Sequence, residues 1–270
     1  MTFSSKIKVI YRLIANIITN PISVFLILED ESDYKKALFK KYGIAKLHTV
    51  DINNFLQNRK ASIESYTYLD GSSMVTDLAL LKSLATSFEA CEYLEIGSWR
   101  GESLVNVANV AHHCTSINLS PDEIVKLSKN PEYATQHGCL ITDKLNITSI
   151  FANSQTFDFS TLNKKFDLIF VDADHSYEAV KNDTANVFKL LKDENSVIVW
   201  HDCGFSSELP RYSVIKAIFD GSPVEFHKHI YHVSNTMCGI YTRKNLESYL
   251  IQSPHRPDKV FSITIENKDI

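Results

Sequence analysis

The stretch Y-L-E-I-G-S-W-R-G-E-S, residues 93 to 103, reads as a short apolar strand that turns through two glycines into a helix. Tyr93 to Ile96 has the length and apolar character of a buried strand. Gly97 permits the tight strand-to-helix turn, and Gly101 lets the new helix begin close to its neighbour. A turn of this kind brings backbone N–H groups and a helix start toward a ligand. Positions 99 and 102 are Trp and Glu, so the spacing is not G-x-G-x-x-G, and no G-K-[ST] phosphate loop is present. Glu95, directly before the turn, suits a ligand with a cationic part such as an ammonium group.

On the carboxyl side, short apolar runs alternate with helical stretches. Thr115–Leu119, Thr148–Ala152, Phe166–Val171 and Ser196–Trp200 read as strands. Gly101–Ala111, Pro121–Lys129, Tyr177–Leu191 and Tyr212–Phe219 read as helices, the second with Pro at its first turn. Glu225–His232 and Thr236–Thr242 read as a closing pair of strands. This alternation predicts an α/β fold with a doubly wound, mostly parallel sheet. Ligands of such sheets sit beyond the carboxyl ends of the strands. Polar clusters fall at each of these ends: Glu95–Ser103, Asn118, Asn153-Ser154-Gln155, Asp172–His175 and His201-Asp202.

On the amino side the pattern is helical. Met74–Phe88 carries Val75, Leu78, Leu81, Ala85 and Phe88 at helical spacing, Asp70–Ser73 is a turn, and Asn53–Lys60 is a candidate helix. Asp33–Tyr42 is a charged helix ended by Gly43. Ile7–Leu28 is apolar-rich behind Lys6 and Lys8. Arg12, Asn16, Asn20 and Pro21 interrupt it, and no small-residue cleavage site follows. It reads as two short helices that pack on the body or on a second subunit, with a membrane-surface contact as the lesser alternative.

The chain has 270 residues, against roughly 150 for a typical domain, which allows one domain plus an added segment. Hydrophobic residues at 44% and charged residues at 22% exclude a disordered chain. A formal charge of −4 argues against a nucleic-acid binder. Five cysteines, with no C-x-x-C pair, argue against a disulfide framework or a structural zinc site and fit a cytoplasmic setting. His227, His229 and His232 lie along an expected strand, 227 and 229 on one face, and do not by themselves make a zinc site.

E-I-G-S-W-R-G-E-S resembles the first motif, E-x-G-x-x-x-G-x-S, of class I S-adenosylmethionine-dependent methyltransferases. The form is most similar to their metal-dependent O-methyltransferase branch. The resemblance continues through N-S-Q at 153–155, F-D-L-I-F-V-D-A-D-H-S-Y at 166–177 and V-I-V-W-H-D-C at 197–203, and covers roughly residues 66–243. The chain also looks similar to bacterial methyltransferases of biosynthetic gene clusters. The resemblance implies a Rossmann-like seven-stranded methyltransferase domain over 66–243, a helical extension over 1–65 acting as a cap or dimer arm, and a tail over 244–270. It implies that Glu95, Gly97, Ser98, Trp99, Gly101 and Ser103 hold the methionine end of S-adenosylmethionine. Asn118 would meet the ribose, with Asn153 and Ser154 beside the adenine and Asp172 at the fourth strand end. Asn118 replaces the branch's acid, so its contact is with a neutral acceptor.

The same resemblance puts candidate metal ligands at Asp172 and Asp202, for a hard ion such as Mg2+. Cys203 stands where the branch has Asn, and Cys is a poor ligand for that ion; Asp174 or His201 would complete a different shell. His175 occupies the place of a proton-accepting Lys, and an imidazole serves as a base at neutral pH. His201 is the next candidate for the same catalytic role. The implied activity is O-methylation of a small-molecule hydroxyl, on a sugar or a secondary metabolite, with no nucleic-acid partner and a homodimer as the expected assembly. The competing readings are a noncatalytic binding protein of the same fold and a nucleotide-dependent oxidoreductase.

Overall fold

The computed structural model describes residues 31–141, 146–252 and 254–269. The two helices expected within residues 7–28 lie outside them. The strands are β1 (Thr49–Val50), β2 (Glu92–Ile96), β3 (His113–Asn118), β4 (Ile147–Phe151), β5 (Leu168–Val171), β6 (Val197–Trp200), β7 (Ile230–Val233), β8 (Gly239–Tyr241) and β9 (Ser248–Tyr249). They form one sheet in the order β4-β3-β2-β5-β6-β8-β7-β1-β9. Strands β4, β3, β2, β5 and β6 are parallel neighbours, and β8 runs antiparallel to both β6 and β7.

From β2 the chain winds outward through β3 to β4, then returns to add β5 and β6 on the other side. The switch point therefore lies between the carboxyl ends of β2 and β5, where a doubly wound sheet opens a crevice. The helices are α1 (Glu31–Tyr42), α2 (Val75–Thr86), α3 (Glu102–Ala108), α4 (Pro121–Ser128), α5 (Pro131–Gln136), α6 (Tyr177–Val187) and α7 (Tyr212–Gly221). Alternate strand residues point to opposite faces. Leu94, Ile96, Ile169, Val171, Ile198 and Trp200 pack in one core with side chains of α1, α6 and α7. Tyr93, Leu168, Phe170, Val197 and Val199 pack in the other with side chains of α2 and α3.

The sheet has nine strands where seven were expected. The additions, β1 and β9, hold two residues each, too few for an alternating pattern to register in sequence. Helix also gives way over much of the amino-terminal part. Residues 31–42 form α1, closed by Gly43 in the left-handed region at φ +71, with its N–H on the Phe39 carbonyl. Residues 53–60 are not one helix, because the extended Leu56 separates short 3-10 turns at Ile52–Asn54 and Gln57–Arg59, and the left-handed Asn58 kinks the second. The expected strand 225–232 begins only at Ile230. His227 and His229 lie in the 3-10 segment Val224–His229 and share no strand face.

The short helix α5 was not anticipated; its start is marked by Asn130-Pro131, with Asn130 Oδ1 accepting from Glu132 N at 3.0 Å. Among the described residues, no helix is long and apolar enough to cross a membrane. The cysteines, four of them buried, are free thiols.

Candidate active site

The glycine turn is shaped by close approach. Gly97 has φ +82, and a Cβ there would stand 2.4 Å from the Asp172 carbonyl oxygen, so the end of β2 lies directly against the end of β5. Gly101 has φ +95, and a Cβ there would meet Ile141 Cγ1 at 2.7 Å. The turn is pinned from outside as well: Gly138 N donates to the Trp99 carbonyl at 2.6 Å, and Leu140 N to that of Arg100 at 3.0 Å.

Asn118 ties the turn to β3. Its Oδ1 accepts from Ser98 N at 2.8 Å and from Ser98 Oγ at 3.1 Å, and its Nδ2 donates to Ser116 Oγ at 2.5 Å. Both ends of its amide are thus engaged within the protein. A second strap comes from the amino-terminal side. The buried Glu102 carboxylate accepts from Thr67 N at 2.6 Å and Ser72 Oγ at 3.1 Å, and Arg100 donates to the Asp70 carbonyl at 2.7 Å. These bonds hold residues 70–73 over the turn.

Between strap and strand ends lies a cavity of ≈ 950 Å³. That is near the upper end of the about 300–1,000 Å³ seen for small-molecule sites. One wall is aromatic: the Trp99 ring lies 4.6 Å from those of both Tyr133 and His137, with the Arg100 guanidinium 4.8 Å from its centroid.

The opposite wall is ionisable. His201, at the end of β6, is nearly buried, with three carboxylates around it. Nε2 faces Asp77 Oδ2 at 3.1 Å, and Nδ1 faces Asp172 Oδ1 at 3.2 Å and Asp202 Oδ2 at 3.5 Å. Burial opposes its charged form, yet the carboxylates hold its pKa well above the usual value. Burial pushes Asp172 upward. Asp202 is also partly buried, but His175 and His201 hold it well below the carboxylate range. Its backbone is left-handed, at φ +55. His175 Nδ1 stands 3.0 Å from Asp202 Oδ2, and its side chain is 50% exposed. The bond to Asp202 raises the His175 pKa.

Residues 94–203 match the sequence model of a family described as a methyltransferase domain. The matched segment carries the glycine turn and the strand ends of β2 to β6, and its likeness is to a methyltransferase domain. Sequence comparison with curated proteins finds no match. Among solved structures, the O-methyltransferase TomG from Streptomyces achromogenes, involved in tomaymycin synthesis and solved with SAM, is 16% identical. The match covers 64% of this chain and 82% of TomG, with a TM-score of 0.46. An O-methyltransferase from Bacillus cereus, solved with SAH, gives the same identity, coverages and TM-score.

Within the matched segment, Gly97, Ser98, Trp99, Asn118, Asn153, Ser154, Asp172, His175, His201 and Asp202 line the cavity. Glu95, Gly101 and Ser103 stand behind it. Glu95 is fully buried; its oxygens accept from Tyr93 Oη at 2.5 Å and Ser103 Oγ at 2.7 Å, and burial pushes its pKa up to about 8. Its expected direct contact with a ligand is therefore replaced by support of the turn from below. Cys203 is buried away from the carboxylates, with Sγ 3.7 Å from the Trp200 carbonyl, and burial pushes its thiol up to about 12. Asp174 Oδ1 accepts from Ser176 N at 2.8 Å in the turn just before α6.

Asp77 escaped the sequence reading. It sits at the third position of α2, and its bond from Met74 N at 2.8 Å is that of an ordinary helix-capping acid. Nothing in the local pattern marks it as the partner of His201.

Proposed function

We propose that the chain is an S-adenosylmethionine-dependent methyltransferase that acts on a hydroxyl of a small molecule, a sugar or a secondary metabolite. The observation that carries this reading is His175. It lines the same cavity as the glycine turn, and Asp202 holds its Nδ1 at 3.0 Å. With Nδ1–H donated to Asp202, Nε2 carries the lone pair in the neutral ring. The acceptor hydroxyl gives its proton to Nε2 as its oxygen forms the new bond to the methyl carbon. When bound, S-adenosylmethionine would supply the methyl group from its sulfonium, the sulfur keeping the electron pair of the S–CH3 bond. The protein's part is alignment and proton removal.

Asp172, His201 and Asp202 also fit a cation, since one donor atom from each lies within 4.8 Å of the others. His201 takes the place left by the withdrawn Cys203 in that set. When bound, a divalent cation supplies Lewis acidity that lowers the pKa of an acceptor oxygen. The expected result of chelation is a loss of turnover that added Mn2+ or Mg2+ restores. Turnover that survives exhaustive chelation removes the cation and leaves proton removal to His175.

Calorimetric titration tests the cofactor. S-adenosylhomocysteine is expected to bind and NAD is not, with matching gains in melting temperature. A chain that ignores S-adenosylhomocysteine at saturating concentration is not a methyltransferase of this kind. Methyl transfer to sugar and phenol hydroxyls, but not to amines, would support the choice of acceptor.

A further inference from the structure

Asp183 is fully buried in α6, eight residues beyond His175. Taking a carboxylate out of water costs several kcal/mol unless its oxygens are well paired. Asp220, the other acid on this face, has Lys41 and Lys216 beside it. Asp183 makes no ion pair among the described residues. Its partners are two neutral donors from the loop after β4: Ser154 Oγ reaches Oδ2 at 3.2 Å, and Gln155 Nε2 reaches Oδ1 at 3.1 Å. Asn182 adds a third tie, from Nδ2 to the Ser154 carbonyl at 3.4 Å. Within the loop, Asn153 Oδ1 accepts from Gln155 N at 2.9 Å. Residues 153–155 line the cavity, so this carboxylate holds both side chains of a turn in one of its walls.

The support beneath it is rigid. Helix α7 packs so tightly on α6 that a Cβ on Gly221 would stand 2.4 Å from the Lys181 carbonyl oxygen. Trp200 Nε1 donates to Thr184 Oγ1 at 3.0 Å. These contacts hold α6 against α7 and β6. His175 precedes α6, whereas Asp183 lies six residues beyond Tyr177, about 9 Å along the helix at 1.5 Å per residue. A change at Asp183 is thus felt by the loop wall and not by the group that takes the proton.

We propose that Asp183 is a positioning residue for cofactor affinity: it locks the Ser154–Gln155 turn into the wall against which the cofactor lies. The inference rests on the methyltransferase reading of the cavity. Asp183 touches no substrate atom. In its absence the Ser154 hydroxyl and the Gln155 amide turn elsewhere, and the wall must be ordered by the ligand at each binding event. Affinity falls, while the bound state, once formed, reacts as before.

The test is calorimetric titration of S-adenosylhomocysteine into the full chain and into Asp183→Asn, Ser154→Ala and the double variant, with turnover measured at saturating S-adenosylmethionine. Asp183→Asn is expected to weaken binding about tenfold, the size of one or two lost hydrogen bonds. Turnover should stay within about twofold of the unsubstituted chain, as befits a loss confined to binding. The double variant should lose less affinity than the sum of the two single losses, because both changes break the same lock. A folded Asp183→Asn chain that binds as tightly as the unsubstituted one overturns the proposal, as does a fall in turnover with affinity kept. If Asp183→Asn does not fold, Gln155→Leu on the exposed side of the lock replaces it: weaker binding supports the proposal and unchanged binding overturns it. An unsubstituted chain with no affinity for S-adenosylhomocysteine overturns the cofactor reading, and this inference with it.

Discussion

Replacement of His175 by alanine is expected to lower turnover by about 10²–10⁴-fold, the usual contribution of a positioned base. Cofactor affinity should hardly change, since the imidazole is half exposed and tied to the rest of the site through Asp202. The pH profile gives a second, independent readout. Asp202 raises the His175 pKa above its ordinary value, so the ring stays protonated, and useless as a base, to a higher pH than a free histidine. kcat/KM should therefore rise with pH along a limb centred above about 6.5, the unperturbed value. Asp202→Asn removes the acceptor that favours the imidazolium, and the limb should move to lower pH even as the maximum falls. A His175→Ala chain with unaltered turnover, or a profile flat across this range, would assign proton removal to another group.

Gly97→Ala is the second large effect. The added methyl group would stand 2.4 Å from the Asp172 carbonyl oxygen, a backbone atom that cannot rotate away, at a φ of +82 that alanine rarely adopts. The turn must then separate from β5, moving Ser98 and Trp99 relative to Asp172. A displacement of about 1 Å at a reacting centre costs roughly 10²-fold, and kcat/KM should fall by at least about that factor. Gly101→Ala serves as the comparison. Its Cβ would meet the Ile141 side chain, which can yield, so its loss should be smaller. Equal losses, or near-normal activity in Gly97→Ala, would mean that the contact between β2 and β5 does not govern the site.

The parallel half of the sheet was legible because its strands are continuous apolar runs punctuated by glycine, proline and polar clusters. The strand ends were legible for the same reason, so Gly97, Ser98, Asn118, Asn153, Ser154, Asp172, His175, His201 and Asp202 were named from sequence, whereas Tyr133 and His137 of the aromatic wall were not. What stayed hidden depends on contacts between distant segments. Asp77 and His201 are 124 positions apart, and Asp183 meets Ser154 across 29. Each acid carries a perfectly ordinary local pattern on its own helix. Glu95 was read as an acid beside the turn that would face a cationic ligand; its burial beneath the cavity follows from Tyr93 and Ser103 closing over it. Neither residue announces that in the linear chain. The two-residue strands were invisible because pairing alone, and no side-chain period, defines them.

Those two short strands have a further consequence for how the chain reaches its native state. Thr49 pairs with His232, and Val50 with Ser248, so the far edge of the sheet joins segments about 200 positions apart. Closing such contacts carries a large loop entropy, and sheets built this way form slowly. During synthesis, β1 must wait for nearly the whole chain to leave the ribosome before it finds β7 and β9. Until then the core cluster that buries Val50, Ile52 and Phe55 lacks Val233, Cys238 and Ile240. Stalled or truncated chains would expose that segment, making it the natural point of capture for a chaperone or of self-association in chains that fail to finish.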